Sequence, residues 1–465
     1  MKDKVFKEFE IQVNEEQFYQ NPLEINQIGD PFVLKSSDGN YYCYPTSDAR
    51  RGYKVWVSQD MVHWEKQAEN IYIKERDGWA ISDFWAPEVY EWDGMYYMYY
   101  TARWKEGNSL RIGVATSESP LGPFKDVSNK PMFDFGYAVI DANVLIDDDG
   151  QGYLYYSRDC SENQLGGYNE SHLYEIQLSD DKLEVIGEPV LLEKPEQPWE
   201  LETGNYRWNE GAFVFKRENI YYMMYSANFY GGRQYSLGYA TSDSPLGKYT
   251  KYENNPILYT QSDWEDISGP GHHSITRSPN GKVWYAMYHT HSIPALGGGD
   301  RQVNMDVMGF REDGSIYMNG PTISPQLIPS KMGEAYEIMA NTQITKNGEP
   351  AEVLKDGEFA LYTEGLVKTE VISLVGKDIV EVTFDINQEI QGILLYTGVA
   401  DDEKLEGVTI KFSNGYGISN LKFPDGVGQP AVAQFEPMEV KWIKIYNGDL
   451  ESSKGVLSLV SVIPC

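Results

Sequence analysis

Five stretches of the chain share one alternation, a polar turn followed by aromatic and apolar residues in strand-like sequence. They read SDGNYYCYPTS from Ser37, WDGMYYMYYTA from Trp92, DDGQGYLYYSR from Asp148, RENIYYMMYSA from Arg217 and PNGKVWYAMYHT from Pro279. Asp-Gly or Asn-Gly between apolar runs is a strong hairpin signal, and the Glu-Asn of the fourth copy serves because Asn tolerates positive φ. The turn anchors Gly39, Gly94, Gly150, Asn219 and Gly281 stand 55, 56, 69 and 62 residues apart. Each unit carries later strands too, such as RIGVATSESPLGPFKD from Arg111 and its near twin SLGYATSDSPLGKYTK from Ser236. A period of this size with several short strands per unit predicts propeller blades, and five copies predict a five-bladed β-propeller over residues 22–328. A plain sandwich would not produce a fixed turn-strand repeat with matching unit ends.

Beyond about residue 345 the texture changes. EVTFDIN, QGILLYTG, GVTIKFSN and VKWIKIYNG alternate with period two between Gly, Asn and Asp turns, which predicts an antiparallel β-sandwich over 346–465. The Pro-containing stretch TISPQLIPSKMGEAYEIMANT reads as a linker, placed at 329–345, and residues 1–21 as an N-terminal extension. The fold class is therefore all-β, a five-bladed propeller followed by a sandwich.

Composition narrows the function. With 465 residues and a net charge of −31, the surface disfavours nucleic acid and anionic lipid, which bind through Lys and Arg. A neutral substrate suits this balance. No apolar run has the length of a membrane helix, and MKDKVFKEFE lacks the apolar core of a signal peptide. The chain is read as cytoplasmic, or as secreted or periplasmic after loss of a signal. Cys43, Cys160 and Cys465 are too scattered for a disulfide framework. H-E-x-x-H, P-loop, G-x-S-x-G and dinucleotide glycine motifs are not found in the sequence.

Counting back nine positions from each turn anchor gives Asp30, Trp85, Asp141, Glu210 and His272. These lie at the start of each innermost strand, so pseudo-symmetry predicts that all five meet at one mouth of the channel. Clustered carboxylates repel and cost desolvation energy, which points to use. Taken singly each has a plain structural reading: Asp30 before Pro31 as a turn former, Asp141 as a loop cap, Glu210 as a solvated group, His272 as a core histidine. Together they form the apparatus of glycoside hydrolysis, in which a protonated carboxyl donates to the leaving oxygen and an ionised one activates water or attacks the anomeric carbon. A third acidic group raises the pKa of the acid by like-charge repulsion.

The ordered motifs IGDPFV at Asp30, WAPEVY at Trp85, VIDANVLIDDDG at Asp141, NEGAFVFK at Glu210 and GPGHHSI at His272 together resemble glycoside hydrolase family 43. The resemblance spans about the first 330 residues. It implies a five-bladed propeller and hydrolysis with inversion, with Asp30 as general base, Glu210 as general acid and Asp141 orienting and tuning Glu210. Inversion needs roughly 6.5–9.5 Å between base and acid so that water fits. The family commonly has Pro after the second Asp and after the Glu; here Ala142 and Ala212 (the latter after Gly211) stand near those places. His272 resembles a family histidine that often holds calcium or another ion in the central channel. Calcium prefers oxygen ligands, so a lone His implies a mostly hydrated ion. Arg301, after ALGGGD, resembles the family arginine that hydrogen-bonds the terminal sugar. Trp85, joined by Phe84, is expected to form an apolar wall against a sugar face.

The implied activity is exo-acting release of terminal pentose from plant cell-wall saccharides, by an α-L-arabinofuranosidase or a β-xylosidase. The long loops SRDCSENQLGGYNESH and NFYGGRQ favour a closed pocket. A β-galactofuranosidase or exo-galactanase, a phosphorylase and a non-catalytic sugar-binding propeller are the alternatives. The C-terminal series FDIN, ILLYTG, WIKIYNG is loosely similar to galactose-binding-like modules, with sugar binding and structural support both open.

Overall fold

The computed structural model describes residues 6–8, 11–261, 264–362, 368–447 and 454–465. The chain divides into two compact units, Pro22–Thr276 with Ala286–Met305, and Met1–Asn21 with Arg277–Tyr285 and Asp306–Cys465.

Five four-stranded sheets, each with its strands in chain order, account for the repeat. Their innermost strands are Gly29–Lys35, Ala80–Trp92, Val139–Ile146, Asn209–Arg217 and Gly271–Arg277. Each is followed by its hairpin partner, Tyr41–Thr46, Met95–Trp104, Gly152–Arg158, Ile220–Ala227 and Trp284–His291. We number the blades one to five in this order.

The aromatic repeat is explained by packing between blades. Side chains of a strand alternate between its two faces, so adjacent tyrosines serve different neighbours. Tyr100 packs with Tyr44, Tyr53 and Tyr72 of blade one and its flanking loop, while Tyr99 joins Val139, Leu154 and Tyr156 of blade three. Tyr155, next to Tyr156, turns to Val214, Met223 and Tyr225 of blade four.

Among the described residues no strand is exchanged to close the ring. The segment before blade one instead runs beside the third strand of blade five. Leu23 N–H donates to Val303 O (2.8 Å), Val303 N–H to Ile25 O (3.1 Å) and Ile28 N–H to Arg301 O (3.2 Å). This pairing carries Arg301 to the start of blade one.

A second set of bonds links the innermost strands. Every blade has a left-handed residue at an equivalent place in its innermost strand: Asp30 (φ 55°), Ala86 (37°), Asp141 (58°), Gly211 (59°) and His272 (46°), with Asp83 (58°) a second one in blade two. The amide of the equivalently placed residue donates to a side chain of the preceding blade's second strand. Ala86 N–H bonds Thr46 Oγ1 (2.7 Å), Asp141 N–H bonds Thr101 Oγ1 (3.1 Å), His272 N–H bonds Ser226 Oγ (2.8 Å) and Asp30 N–H bonds His289 Nδ1 (3.2 Å). The equivalent residue of blade three is Ser157. Its hydroxyl is buried without a hydrogen-bond partner among the described residues, because the Gly211 amide donates to Asp141 Oδ2 instead (3.2 Å).

This asymmetry makes a prediction. Thr101→Val orphans a buried amide and is expected to cost ~1–3 kcal/mol, whereas Ser157→Ala removes an unpaired hydroxyl and is expected to stay within ~0.5 kcal/mol of the parent. Scanning calorimetry of both variants checks the contrast. Equal losses would contradict the role given to these cross-blade bonds.

In the other unit, two long antiparallel strands, Ile379–Thr397 and Ala431–Asn447, pair along their length with register shifts between Thr383 and Gln388 and between Ile390 and Gly392. One connected sheet encloses its own core on either side of these shifts: Val380, Val382 and Phe384 share a cluster with Ile393, Leu395, Val460 and Val462. This is the sandwich expected from the period-two pattern. Two local expectations differ. The stretch read as a linker holds a helix, Pro329–Ala340, and a strand, Thr342–Lys346. Pro329 sits at the first helical position, where a missing N–H costs nothing, and Ala335 and Met339 are buried. The stretch read as an N-terminal extension, 1–21, is paired where it is described: Phe18–Tyr19 with Gln326–Leu327, and Lys7–Glu8 parallel to Tyr416–Gly417. Among the described residues no helix is long and apolar enough to cross a membrane.

Candidate active site

The first unit brings the acidic residues of blades one, three and four together. Asp30, Asp141 and Glu210 are all buried, at 8%, 7% and 7% exposure. A continuous set of contacts joins them. Asp141 Oδ2 accepts from the Gly211 amide, next to Glu210; Tyr235 Oη donates to Glu210 Oε1 (2.9 Å); the Tyr235 ring stacks on His289 (5.5 Å); and His289 Nδ1 accepts from the Asp30 amide.

The five residues are not strictly equivalent, as counting from the turns implied. The second-strand residues pair with Gly29, Trp85, Ile140 and Glu210 in blades one to four, each one before the left-handed position. Trp85 and Glu210 therefore stand one residue earlier than Asp30 and Asp141. The cause is the hairpin. Blades two and four close with two-residue loops, between Trp92 and Met95 and between Arg217 and Ile220, whereas blades one and three use five, between Lys35 and Tyr41 and between Ile146 and Gly152. Glycine suits position 211 on two counts: its φ is left-handed, and a β-carbon there would lie 3.1 Å from His272 Nδ1, so that the imidazole would have to give way slightly.

Asp30 is held at both oxygens. Arg301 Nη1 donates to Oδ1 (2.7 Å) and Thr46 Oγ1 to Oδ2 (2.7 Å), with His272 Nδ1 3.3 Å from Oδ1. Gly29 makes room for this pair, since a β-carbon there would fall 2.0 Å from Arg301 Cζ. Burial pushes the Asp30 carboxyl up, but Arg301, then His272, His289 and the Thr46 hydroxyl outweigh it and hold the group well below the usual carboxylate range. Glu210 goes the other way. Burial raises it most and the Asp141 charge adds to that; against the Tyr235 hydrogen bond, and with further repulsion from Asp159 and Asp30, it lies well above an ordinary glutamate. Asp141 is also raised, by burial first and by Asp30 and Asp159, with His272 and the Gly211 amide opposing. Burial and the Arg301 charge keep His289 neutral, consistent with its Nδ1 accepting a hydrogen bond.

The remaining expected residues divide. Trp85 is half-buried against Leu110, Ala138 and Ile140. Phe84 does not join it. The ring is fully buried among Tyr53, Tyr72 and Tyr100, at centroid distances of 6.0, 5.8 and 6.2 Å, because it points to the opposite side of the strand from Trp85. An ion at His272 would take most of its ligands from water, as a lone histidine implies. Among the described residues no group of three or more His, Cys, Asp or Glu could hold a metal, and Nδ1 of His272 faces Asp30, so no step is assigned to an ion. Sequence reasoning missed Thr46, Asp159, Tyr235 and His289. Thr46 and His289 carried a signal, since each follows the aromatic run of its blade as Thr101, Ser157 and Ser226 do.

The Glycosyl hydrolases family 43 pattern matches residues 19–316. Over 314 residues, 64% of this chain and 83% of the other, the protein is 26% identical to a beta-D-galactofuranosidase of Aspergillus niger. It is 30% identical over 294 residues to a xylosidase/arabinosidase of Bacteroides ovatus, covering 56% and 85% of the two chains. A solved structure of a thermostable family-43 glycoside hydrolase is 47% identical, with a TM-score of 0.64, over 67% of this chain and 99% of that one. With the repeat, the ring and the three buried carboxyls, the match over more than half of the chain leads to one conclusion: this protein is a glycoside hydrolase and belongs to family 43.

Proposed function

We propose that the enzyme removes terminal pentose, α-L-arabinofuranosyl or β-D-xylosyl, from plant cell-wall saccharides by a single inverting displacement. The observation that carries this reading is the opposite surroundings of two buried carboxyls in one site: Asp30 pairs with Arg301 and Thr46, which lowers its pKa, while Glu210 lies beside Asp141 with, among the described residues, only Tyr235 donating to it, which raises its pKa. Asp30 takes a proton from water as that water attacks the anomeric carbon. Glu210 gives its proton to the departing oxygen. Tyr235 occupies Oε1 of Glu210, which leaves Oε2 to carry the proton. Asp141 acts through the Gly211 amide and through its charge, as a positioning and tuning residue. A sugar-binding protein without catalysis has no use for such a protonated acid.

The hairpin over 164–170 pairs with Tyr206–Arg207, just ahead of Glu210, and the loop 228–235 ends in Tyr235, which holds Glu210; segments so placed suit exo action. The test is a panel of nitrophenyl arabinofuranoside, xyloside and galactofuranoside, the last included because of the galactofuranosidase relative. NMR of the first product should show inverted configuration. A retained anomer, or no release from either pentoside, defeats the proposal.

Arg301 has a role beyond sugar contact. Arg301→Met removes the charge that holds Asp30 low, so the Asp30 pKa rises, and activity, which needs the ionised form, is lost at higher pH than in the parent. The acid limb of kcat/KM is expected to move up by roughly one to three pH units, with Arg301→Lys moving it less. An unmoved limb would show that Arg301 does not tune the base.

A further inference from the structure

The loops beside the acid carry four aromatic rings in mutual contact. Tyr206 stacks on Trp208 (centroids 5.8 Å apart, planes 20° apart), Trp208 meets Phe229 (5.6 Å) and Phe229 meets Tyr230 (4.8 Å). The Tyr230 ring in turn lies under the Arg301 guanidinium (4.7 Å), which pairs with Asp30. These are not core residues: Tyr206 is 50% exposed, Phe229 41% and Tyr230 40%, and Trp208 is half-buried. The inter-blade tyrosines, by contrast, are nearly all buried.

The row is rigidly mounted. Asn228 N–H donates to Trp208 O (3.4 Å), and Asn228 Nδ2 donates to Trp199 O (2.6 Å) and Gln234 O (3.1 Å). Gly298 N–H donates to Gly231 O (2.8 Å), Arg233 Nη1 to Pro294 O (2.7 Å), and His291 Nε2 to Tyr230 O (2.8 Å). A hydrogen-bonded, exposed aromatic surface that begins beside Arg301, the partner of Asp30, and runs to the strand entry of the acid calls for a ligand with flat apolar faces and polar edges. Sugar rings have that character. Tyr206 and Trp208 directly precede Asn209 and Glu210, the side on which the bond breaks and the leaving group departs.

We infer that Tyr206, Trp208, Phe229 and Tyr230 form a stacking ledge for the leaving-group saccharide, so that the enzyme selects terminal sugars borne on an oligosaccharide chain over those on a short aglycone. The inference rests on the proposed hydrolysis of terminal pentosides.

The experiment compares two substrates in Phe229→Ala and Trp208→Ala, whose side chains lie outside the carboxyl cluster. For each, kcat/KM is measured on nitrophenyl pentoside and on xylotetraose or arabinotetraose. The ratio of tetrasaccharide to aryl activity should fall about tenfold, through KM. An unchanged ratio overturns the ledge. A binding measurement separates this from failure of the hydrolase reading: Asp30→Asn protein, with and without Phe229→Ala, is titrated calorimetrically with the same tetrasaccharides. Weaker binding without the ring supports the ledge even if no aryl pentoside is cleaved. Equal affinity, or no binding by either form, overturns it.

Discussion

Asp30→Asn is expected to lower kcat by roughly 10²–10⁴-fold, the usual contribution of a positioned base, and to do so with good and poor leaving groups alike. The reason is that water must lose its proton in the same step whatever departs. Asparagine keeps the size of the side chain, and one of its atoms can still accept from Arg301 or Thr46, so the loss reports basicity rather than collapse of the site. An unchanged melting temperature is the control. A variant that keeps parental turnover would remove Asp30 from the mechanism. A variant whose loss varied steeply with leaving group would place it on the wrong side of the sugar.

Much of this arrangement was legible because propeller blades repeat. Hairpin turns, paired tyrosines and five ordered motifs each recur, and the alternation of a strand says which neighbour each ring serves. The same rule could have excluded Phe84, which is adjacent to Trp85 and so faces the other way. What escaped had physical causes. Turn length shifted the register by one in blades two and four, so a count from the glycine put Trp85 and Glu210 in the class of Asp30. The helix over Pro329–Ala340 was hidden by a proline that reads as a break but starts a helix. Pairing of residues 18–19 with 326–327 is set by distant partners, and no local pattern announces it.

The left-handed residues connect fold and chemistry. A non-glycine side chain in that region costs of order 1–3 kcal/mol, and such strain persists only where the surroundings over-determine it. Here the surroundings are the cross-blade bonds to Thr46, Thr101, Ser226 and His289. The bond that anchors Asp30 thus also fixes the orientation of blade one against blade five. In blade three the catalytic cluster has replaced the structural bond. Asp141 binds the amide that Ser157 would otherwise receive, tying the tuning carboxylate to the residue after the acid.

Glu210→Gln should separate substrates that Asp30→Asn treats alike. A leaving group such as dinitrophenol departs as a stable anion and needs no proton, so its release should be little affected. An alkyl or saccharide leaving group needs protonation, and its release should fall by roughly 10²–10⁴-fold. A plot of log kcat/KM against leaving-group pKa is therefore expected to be steeper in the variant than in the parent. The pH profile gives an independent reading of the same group. Glu210 works protonated and its pKa is raised, so parental activity falls as pH rises through that value. In Glu210→Gln this basic limb should vanish, while the acid limb set by Asp30 stays in place. A parental slope together with a retained basic limb would move the acid to another buried carboxyl, with Asp141 first in line because it too is raised by burial and by its acidic neighbours.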